Sequence, residues 1–199
     1  MNRPTKISFF LLVLGMAAAL IAAITLKDSN ILSLTPPDGT TPDAVGREFW
    51  LHLSAYSAWV CTILLLPVFF FIWFPKYAPQ WRAFWFASFA AYIIHLAISM
   101  FGFFGGDFAW MTNSTRVSAF WPGMLLVLWW GFDVALANRT RILIQIQRIG
   151  VHLLAFVLFF GGSALKGETL TIRLIGILLL LVAISAAMQY VMKRRGHQI

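Results

Sequence analysis

Six apolar segments, each close to the length that crosses a lipid bilayer, dominate this sequence and limit the folds open to it. They cover about residues 7–26, 53–74, 83–104, 118–137, 146–164 and 172–192. A helix needs about 20 mostly apolar residues to cross the hydrocarbon core. Because 60% of the residues are hydrophobic and only 11% are charged, one soluble core could not bury this much apolar surface. The sequence therefore predicts an all-α integral membrane protein, a six-transmembrane-helix bundle forming one membrane domain over residues 1–199.

The positions of the charged residues predict the orientation of the bundle. Ten of the 15 Lys and Arg residues fall at one set of segment ends: Arg3, Lys6, Lys76, Arg82, Arg139, Arg141, Arg148, Lys193, Arg194 and Arg195. Six of the seven acidic residues fall at the opposite ends. Since basic residues collect on the cytoplasmic side, both termini are expected in the cytoplasm, with the bundle in a bacterial inner membrane. The net charge of +8 then reflects topology, and nucleic acid is not an expected partner.

The first segment and the loop after it have their own features. Residues 1–26 begin with basic residues, like a signal peptide, but their apolar stretch exceeds the roughly 7–15 residues of a signal's hydrophobic region. We therefore expect a retained first helix. Residues 27–52 are rich in Pro, Thr, Asp and Gly and are expected to form an outer loop. Tryptophans are expected near the membrane interfaces, at Trp50, Trp73, Trp81, Trp85, Trp110 and Trp121.

Two histidines and one aspartate lie inside the apolar segments: His95, His152 and Asp133. The sequence contains none of the HExxH, CxxC, GxSxG or phosphate-loop motifs of soluble enzymes. Polar groups at membrane depth are costly and usually functional. Any chemistry is therefore expected to centre on these three residues, since no self-contained catalytic site is visible.

The third and fifth segments each carry one histidine and share an ending. From His95 the third reads HLAISMFGFFGG, and from His152 the fifth reads HLLAFVLFFGG. Counted back from the shared ending, His95 is eight residues before Phe103 and His152 is seven before Phe159. At about 1.5 Å per residue, the two imidazoles are expected at nearly the same depth. Two such histidines are suited to ligate the iron of a b-type haem.

The surroundings of His95 fit two interpretations. His95 shares a face with Ser88, Ala91, Ser99 and Gly102 at three- and four-residue steps, and so small a face would leave room for a flat ring. The same face would suit close helix packing, with both histidines acting only as interhelical hydrogen-bonders worth about 1 kcal/mol. When residues are counted from the cytoplasmic ends of the two helices, His95 and His152 lie at equal depth only if the fifth helix begins early, within ILIQIQR.

Asp133 is expected one turn above the inner end of the fourth helix, near the depth of Arg148. Two roles would satisfy its charge: an ion pair with Arg148, or a hydrogen bond that orients His152. If a haem is present, Arg148 is also placed to meet one of its propionates.

With histidines on the third and fifth of six helices, the chain resembles the ferric-reductase-like transmembrane domain. The resemblance rests on topology and on His95 and His152. It implies a haem between these helices and electron transfer across the membrane. Larger members of the family carry two histidines on each of these helices, whereas this chain has one on each and has no flavin- or nicotinamide-binding domain. The resemblance therefore implies a single-haem relative that receives electrons from a partner.

Three functions remain open from the sequence. The first is a single b-haem electron-transfer subunit that uses His95 and His152. The second is a cofactor-free accessory or assembly subunit of a larger membrane complex. The third is a small transporter, which the few polar groups and the lack of an inverted repeat do not favour. The expected partners are the lipid bilayer and a second membrane protein.

Overall fold

The computed structural model describes residues 3–25, 47–114, 120–137, 139, 141–167 and 169–195, and every secondary-structure element within these ranges is helical. The α-helices are α1 (Arg3–Thr25), α2 (Glu48–Phe71), α3 (Ala78–Ala97), α4 (Phe108–Asn113), α5 (Phe120–Ala135), α6 (Ile142–Phe160) and α7 (Leu170–Arg195). A short 3-10 turn, Pro75–Tyr77, leads into α3. The predicted all-helical fold is confirmed.

Five helical stretches are long and apolar enough to cross a bilayer: Arg3–Thr25, Glu48–Phe71, Pro75–Phe103, Ile142–Leu165 and Leu170–Lys193. The fourth predicted segment corresponds to α5, a shorter apolar helix of 16 residues. Residues 118 and 119, where that segment was expected to begin, lie outside the described part of the chain. These lengths and compositions indicate an integral membrane protein.

Of the helices that begin earlier than hydropathy alone predicted, α2 and α6 bear on the expected loop and site. α2 begins at Glu48, so residues 48–52 are helical and the predicted outer loop 27–52 was too long at this end. Leu51 and His52 are buried there, and burial of this first turn favours helix where the hydropathy pattern does not. Residues 27–46 of the predicted loop lie outside the described residues. α6 begins at Ile142, which adds a full turn before the predicted start.

α2 lies at the centre of the packing, against α1, α3 and α7, while α5 packs on α6 and α3. The close approach of α1 to α2 depends on Gly15, because a Cβ there would lie 2.8 Å from Cγ1 of Val60. Ala19 and Ala23, one and two turns further along α1, are buried. Small residues at four-residue spacing allow this kind of contact between membrane helices.

The two Phe-Phe-Gly-Gly sequences fold differently. After α3, residues Ile98–Phe103 form a π-helix, and Gly105 and Gly106 then adopt positive φ angles of 61° and 81° that end it. After α6, the glycines begin a π-helix, Gly161–Leu165, and the helical path continues. Equal spacing from this ending therefore does not correspond to equal positions along the two helices.

Candidate functional site

Asp133 on α5 is fully buried and is held by three donors from two other helices. Its Oδ1 accepts hydrogen bonds from Nε2 of Gln147 at 2.6 Å and from Nε of Arg148 at 3.2 Å. Its Oδ2 accepts a hydrogen bond from Nε1 of Trp85 on α3 at 2.9 Å. A buried carboxylate is tolerated when a cation and further donors satisfy its oxygens. The structure thus brings Asp133 and Arg148 together as an ion pair.

The cation of this pair also has partners besides Asp133. The second guanidinium nitrogen of Arg148 donates to the carbonyl of Leu136 at 3.2 Å. The guanidinium lies 5.0 Å from the ring centroid of Trp81, a distance at which the face of an indole attracts a cation. The charge of Arg148 is therefore neutralised and packed within the protein.

Gln147 extends the hydrogen bonding to one more side chain, Trp129 on α5. Its Oε1 accepts a hydrogen bond from Nε1 of Trp129 at 2.9 Å, while its amide nitrogen donates to Asp133. Glycine at position 150 makes room for this indole, since a Cβ there would lie 2.7 Å from the Trp129 ring. We call the whole set the Asp133 cluster: Trp81, Trp85, Trp129, Asp133, Gln147, Arg148 and His152. It joins α3, α5 and α6.

His152 is buried in the Asp133 cluster with both ring nitrogens occupied. Its ring stacks on Trp85, with centroids 3.8 Å apart and planes 15° apart. Nε1 of Trp81 lies 3.1 Å from Nε2 of His152. Because an indole N–H only donates, Nε2 is the acceptor, and Nδ1 donates to the carbonyl of Arg148 at 2.7 Å. No hydrogen bond joins Asp133 to His152 among the described residues.

His95 lies at the interface of α2 and α3, away from the Asp133 cluster. Its Nδ1 donates to the carbonyl of Ser54 at 2.8 Å, and the hydroxyl of Ser57 lies 3.3 Å from the same nitrogen. One turn further along α3, the hydroxyls of Ser99 and Ser54 are 2.6 Å apart. The imidazole is half-buried, and its Nε2 makes no hydrogen bond with any described residue. His95 thus acts as an interhelical hydrogen-bonder.

The small face of α3 that was expected to leave room for a flat ring is filled by α2. The thiol of Cys61 donates to the carbonyl of Ser88 at 3.2 Å, and Ala91 is fully buried. A Cβ at Gly102 would collide with the ring of Trp50. The small residues serve close packing of two helices, the second of the two roles that the sequence left open.

A column of aromatic rings separates the two histidines. The ring of Tyr92 stacks between His95 (6.1 Å) and Trp130 (5.9 Å). Trp130 in turn stacks on Trp85 at 4.2 Å, and Trp85 stacks on His152. Since Trp85 and His95 are ten residues apart on one helical path, the imidazoles differ by roughly 15 Å along α3. Two imidazoles so separated do not fit the two axial positions of one haem iron.

Sequence reasoning missed the indoles and the amide of the Asp133 cluster. Trp81 and Trp85 were expected at the membrane interface, yet Trp85 is 1% exposed and both donate to cluster atoms. Both lie on α3 within two turns of its N-terminal end, and only their contacts with α5 and α6 distinguish them from interfacial tryptophans. Gln147 had one available signal, its position next to Arg148 within an apolar segment.

Three kinds of comparison bear on the family of this chain. No family model, no curated protein and no solved structure matches it. The likeness to the ferric-reductase-like transmembrane domain therefore stays an expectation drawn from helix order, His95 and His152.

Proposed function

We propose that this chain is a cofactor-free accessory subunit of a larger membrane complex, with six membrane spans and both termini in the cytoplasm. The observation that carries the proposal is the use of Asp133, Arg148 and His152 within the protein itself. These groups hold α3, α5 and α6 in one arrangement. A rigid bundle with its intramembrane charges paired is suited to packing against another membrane protein.

Charge placement supports six spans. The 16-residue helix α5 is about 24 Å long, which is close to the roughly 30 Å thickness of the hydrocarbon core. A short connection links α5 to α6. If α5 crosses the membrane, Arg139 and Arg141 share one side with Lys76 and Lys193. That arrangement agrees with the preference of basic residues for the cytoplasmic side.

The exposed face of α7 offers a contact for a partner helix. Ser185 and Gln189, one turn apart, are both exposed there, beside the exposed side chains of Leu181 and Met188. Serine and glutamine promote association of membrane helices through interhelical hydrogen bonds. We propose that this face, which we call the Ser185–Gln189 face, meets the partner.

Site-specific crosslinking tests the proposal in the native membrane. A photo-reactive amino acid at Gln189 should give a crosslinked product of one defined mass, whereas the same group at Phe10, an exposed position on α1, should not. The Ser185→Ala variant should reduce the yield severalfold, while Leu181→Ala should leave it nearly unchanged. Mass spectrometry then identifies the partner, and tagging that partner should recover this chain. A folded protein that gives no product from position 189 would contradict the proposal.

Electron transfer through a haem is a second candidate, favoured by one observation at His95. Its Nδ1 donates to a backbone carbonyl, which is the usual way in which a metal-ligating histidine is oriented. A visible spectrum of the purified protein from haem-supplied cells separates the two candidates. The accessory subunit should be colourless. A Soret band that His95→Ala removes and His152→Ala leaves unchanged would instead favour a haem on His95.

A further inference from the structure

The connection between α5 and α6 contains a basic groove that the Asp133 cluster does not use. The groove has a volume of about 270 Å³ and is lined by Leu136, Arg139, Arg141 and Ile144. Both arginines are exposed, and neither forms a salt bridge with a described residue. Two guanidinium groups beside two aliphatic side chains form a surface that is cationic on one side and apolar on the other.

None of the acidic residues that the structure describes lies beside this groove. The acidic residues are Asp28, Asp38, Asp43, Glu48, Asp107, Asp133 and Glu168. Of the described ones, Glu48 begins α2 and Asp107 follows the π-helix after α3, both at the opposite ends of their helices. Asp133 is buried and paired with Arg148. Among the described residues, no carboxylate pairs with Arg139 or Arg141, so both guanidinium groups are available to an anion from another molecule.

The residues beside the groove indicate where that molecule lies. Ile142 and Leu143, which begin α6, are among the most exposed apolar side chains of the protein, at 69% and 75%. Arginine forks match the oxygens of a phosphate, and exposed aliphatic side chains at a membrane-spanning helix match acyl chains. A ligand with both parts next to each other is a phospholipid with a net negative headgroup.

We propose that the Arg139–Arg141 groove binds the phosphate headgroup of an anionic phospholipid, whose acyl chains lie along Ile142 and Leu143. Basic pockets between membrane helices on the cytoplasmic side are known to take such headgroups. The lipid supplies a negative charge to the two arginines and covers the first turn of α6. This site is independent of the partner contact on α7.

Lipid competition with the purified full chain tests the site. The protein in nanodiscs of phosphatidylcholine is titrated with phosphatidylglycerol that carries a fluorescent label on one acyl chain and an unmodified headgroup. Binding is measured by energy transfer from the tryptophans to the label. A basic residue contributes about fivefold in affinity where it contacts an anionic headgroup, and less where it does not. The Arg139→Gln/Arg141→Gln variant should therefore bind roughly 25-fold more weakly, and Arg139→Lys/Arg141→Lys should keep most of the affinity.

The matched control is Lys76→Gln/Lys193→Gln, which removes the same charge from the same end of the bundle outside the groove. It should change the affinity by less than about threefold. An equal loss in both variants would overturn the proposal, because diffuse charge would then explain the binding. Displacement of the lipid by millimolar inorganic phosphate would also overturn it, since the site would then select a free anion. Unchanged melting temperatures of both variants exclude unfolding as the cause.

Discussion

The two intramembrane histidines occupy regions that are built on different principles. His152 lies in the Asp133 cluster, stacked on Trp85 and hydrogen bonded through both ring nitrogens. His95 lies in a seam of small residues between α2 and α3, held through one nitrogen by Ser54. The first region contains a buried aspartate with three donors from α3 and α6. The partners in the second region are neutral hydroxyls, a thiol and carbonyls.

The difference follows from the cost of burying charge. A carboxylate in a low-dielectric region needs a cation and full hydrogen bonding, or its desolvation is uncompensated. Asp133 therefore requires Trp85, Gln147 and Arg148 at fixed positions. Neutral hydroxyls find partners within their own helix, as Ser99 does with the carbonyl of His95. The Asp133 cluster should accordingly be sensitive to substitution, and the seam should be tolerant.

The largest effect is expected from Asp133→Ala. Removing the carboxylate leaves the guanidinium of Arg148, whose side chain is only 15% exposed, without its counter-ion. The free energy of unfolding should fall by up to about 3–5 kcal/mol. Reversible unfolding in mixed micelles measures the change. The double variant Asp133→Leu/Arg148→Met should recover most of the loss, because no unpaired charge remains. A double variant as unstable as the single one would show that the ion pair is not the reason.

A smaller but still large effect is expected from His152→Ala. It opens a cavity between Trp81 and Trp85 and leaves the Trp81 N–H without an acceptor, at a combined cost of about 3 kcal/mol. His152→Phe keeps a stacked ring and removes both hydrogen bonds of the imidazole, the Nε2 acceptor and the Nδ1 donor, so about 1–2 kcal/mol is expected. Tryptophan fluorescence should change more in the alanine variant. Equal losses in the two variants would assign the whole effect to the hydrogen bonds.

The smallest effect is expected in the seam. His95→Ala removes one hydrogen bond to Ser54 and should lower the free energy of unfolding by about 1 kcal/mol. Ser99→Ala should have a smaller effect. The same micelle assay applies, with Asp133→Ala measured alongside. If His95→Ala were as destabilising as His152→Ala, the contrast between the two regions would be lost.

More of the Asp133 cluster's ion pair than of the seam's packing could be predicted from the sequence. Asp133 and Arg148 could be expected to meet because the connection between their helices is short and a buried aspartate needs a cation. The small face of α3 was also visible, at Ser88, Ala91, Ser99 and Gly102. The residues that fill this face were not visible, because Cys61 and Trp50 lie on α2, 27 and 52 residues before their contacts Ser88 and Gly102. The shared Phe-Phe-Gly-Gly ending was misleading for depth, since glycine permits both a helix end and a π-helix.

The sequence by itself determined the class of this protein: all-helical, built from apolar segments of membrane length, with basic residues gathered at one set of their ends. Length and hydropathy suffice for this, because hydrocarbon permits few structures other than helices whose backbone groups are satisfied internally. Only the tertiary structure decided that Trp85 faces Asp133, that His95 faces Ser54, and that the two histidines lie apart. Membrane helices are apolar on nearly every side, so periodicity does not separate the lipid-facing side from the packed side. That choice is made by shape and hydrogen-bond complementarity between helices that are distant in sequence.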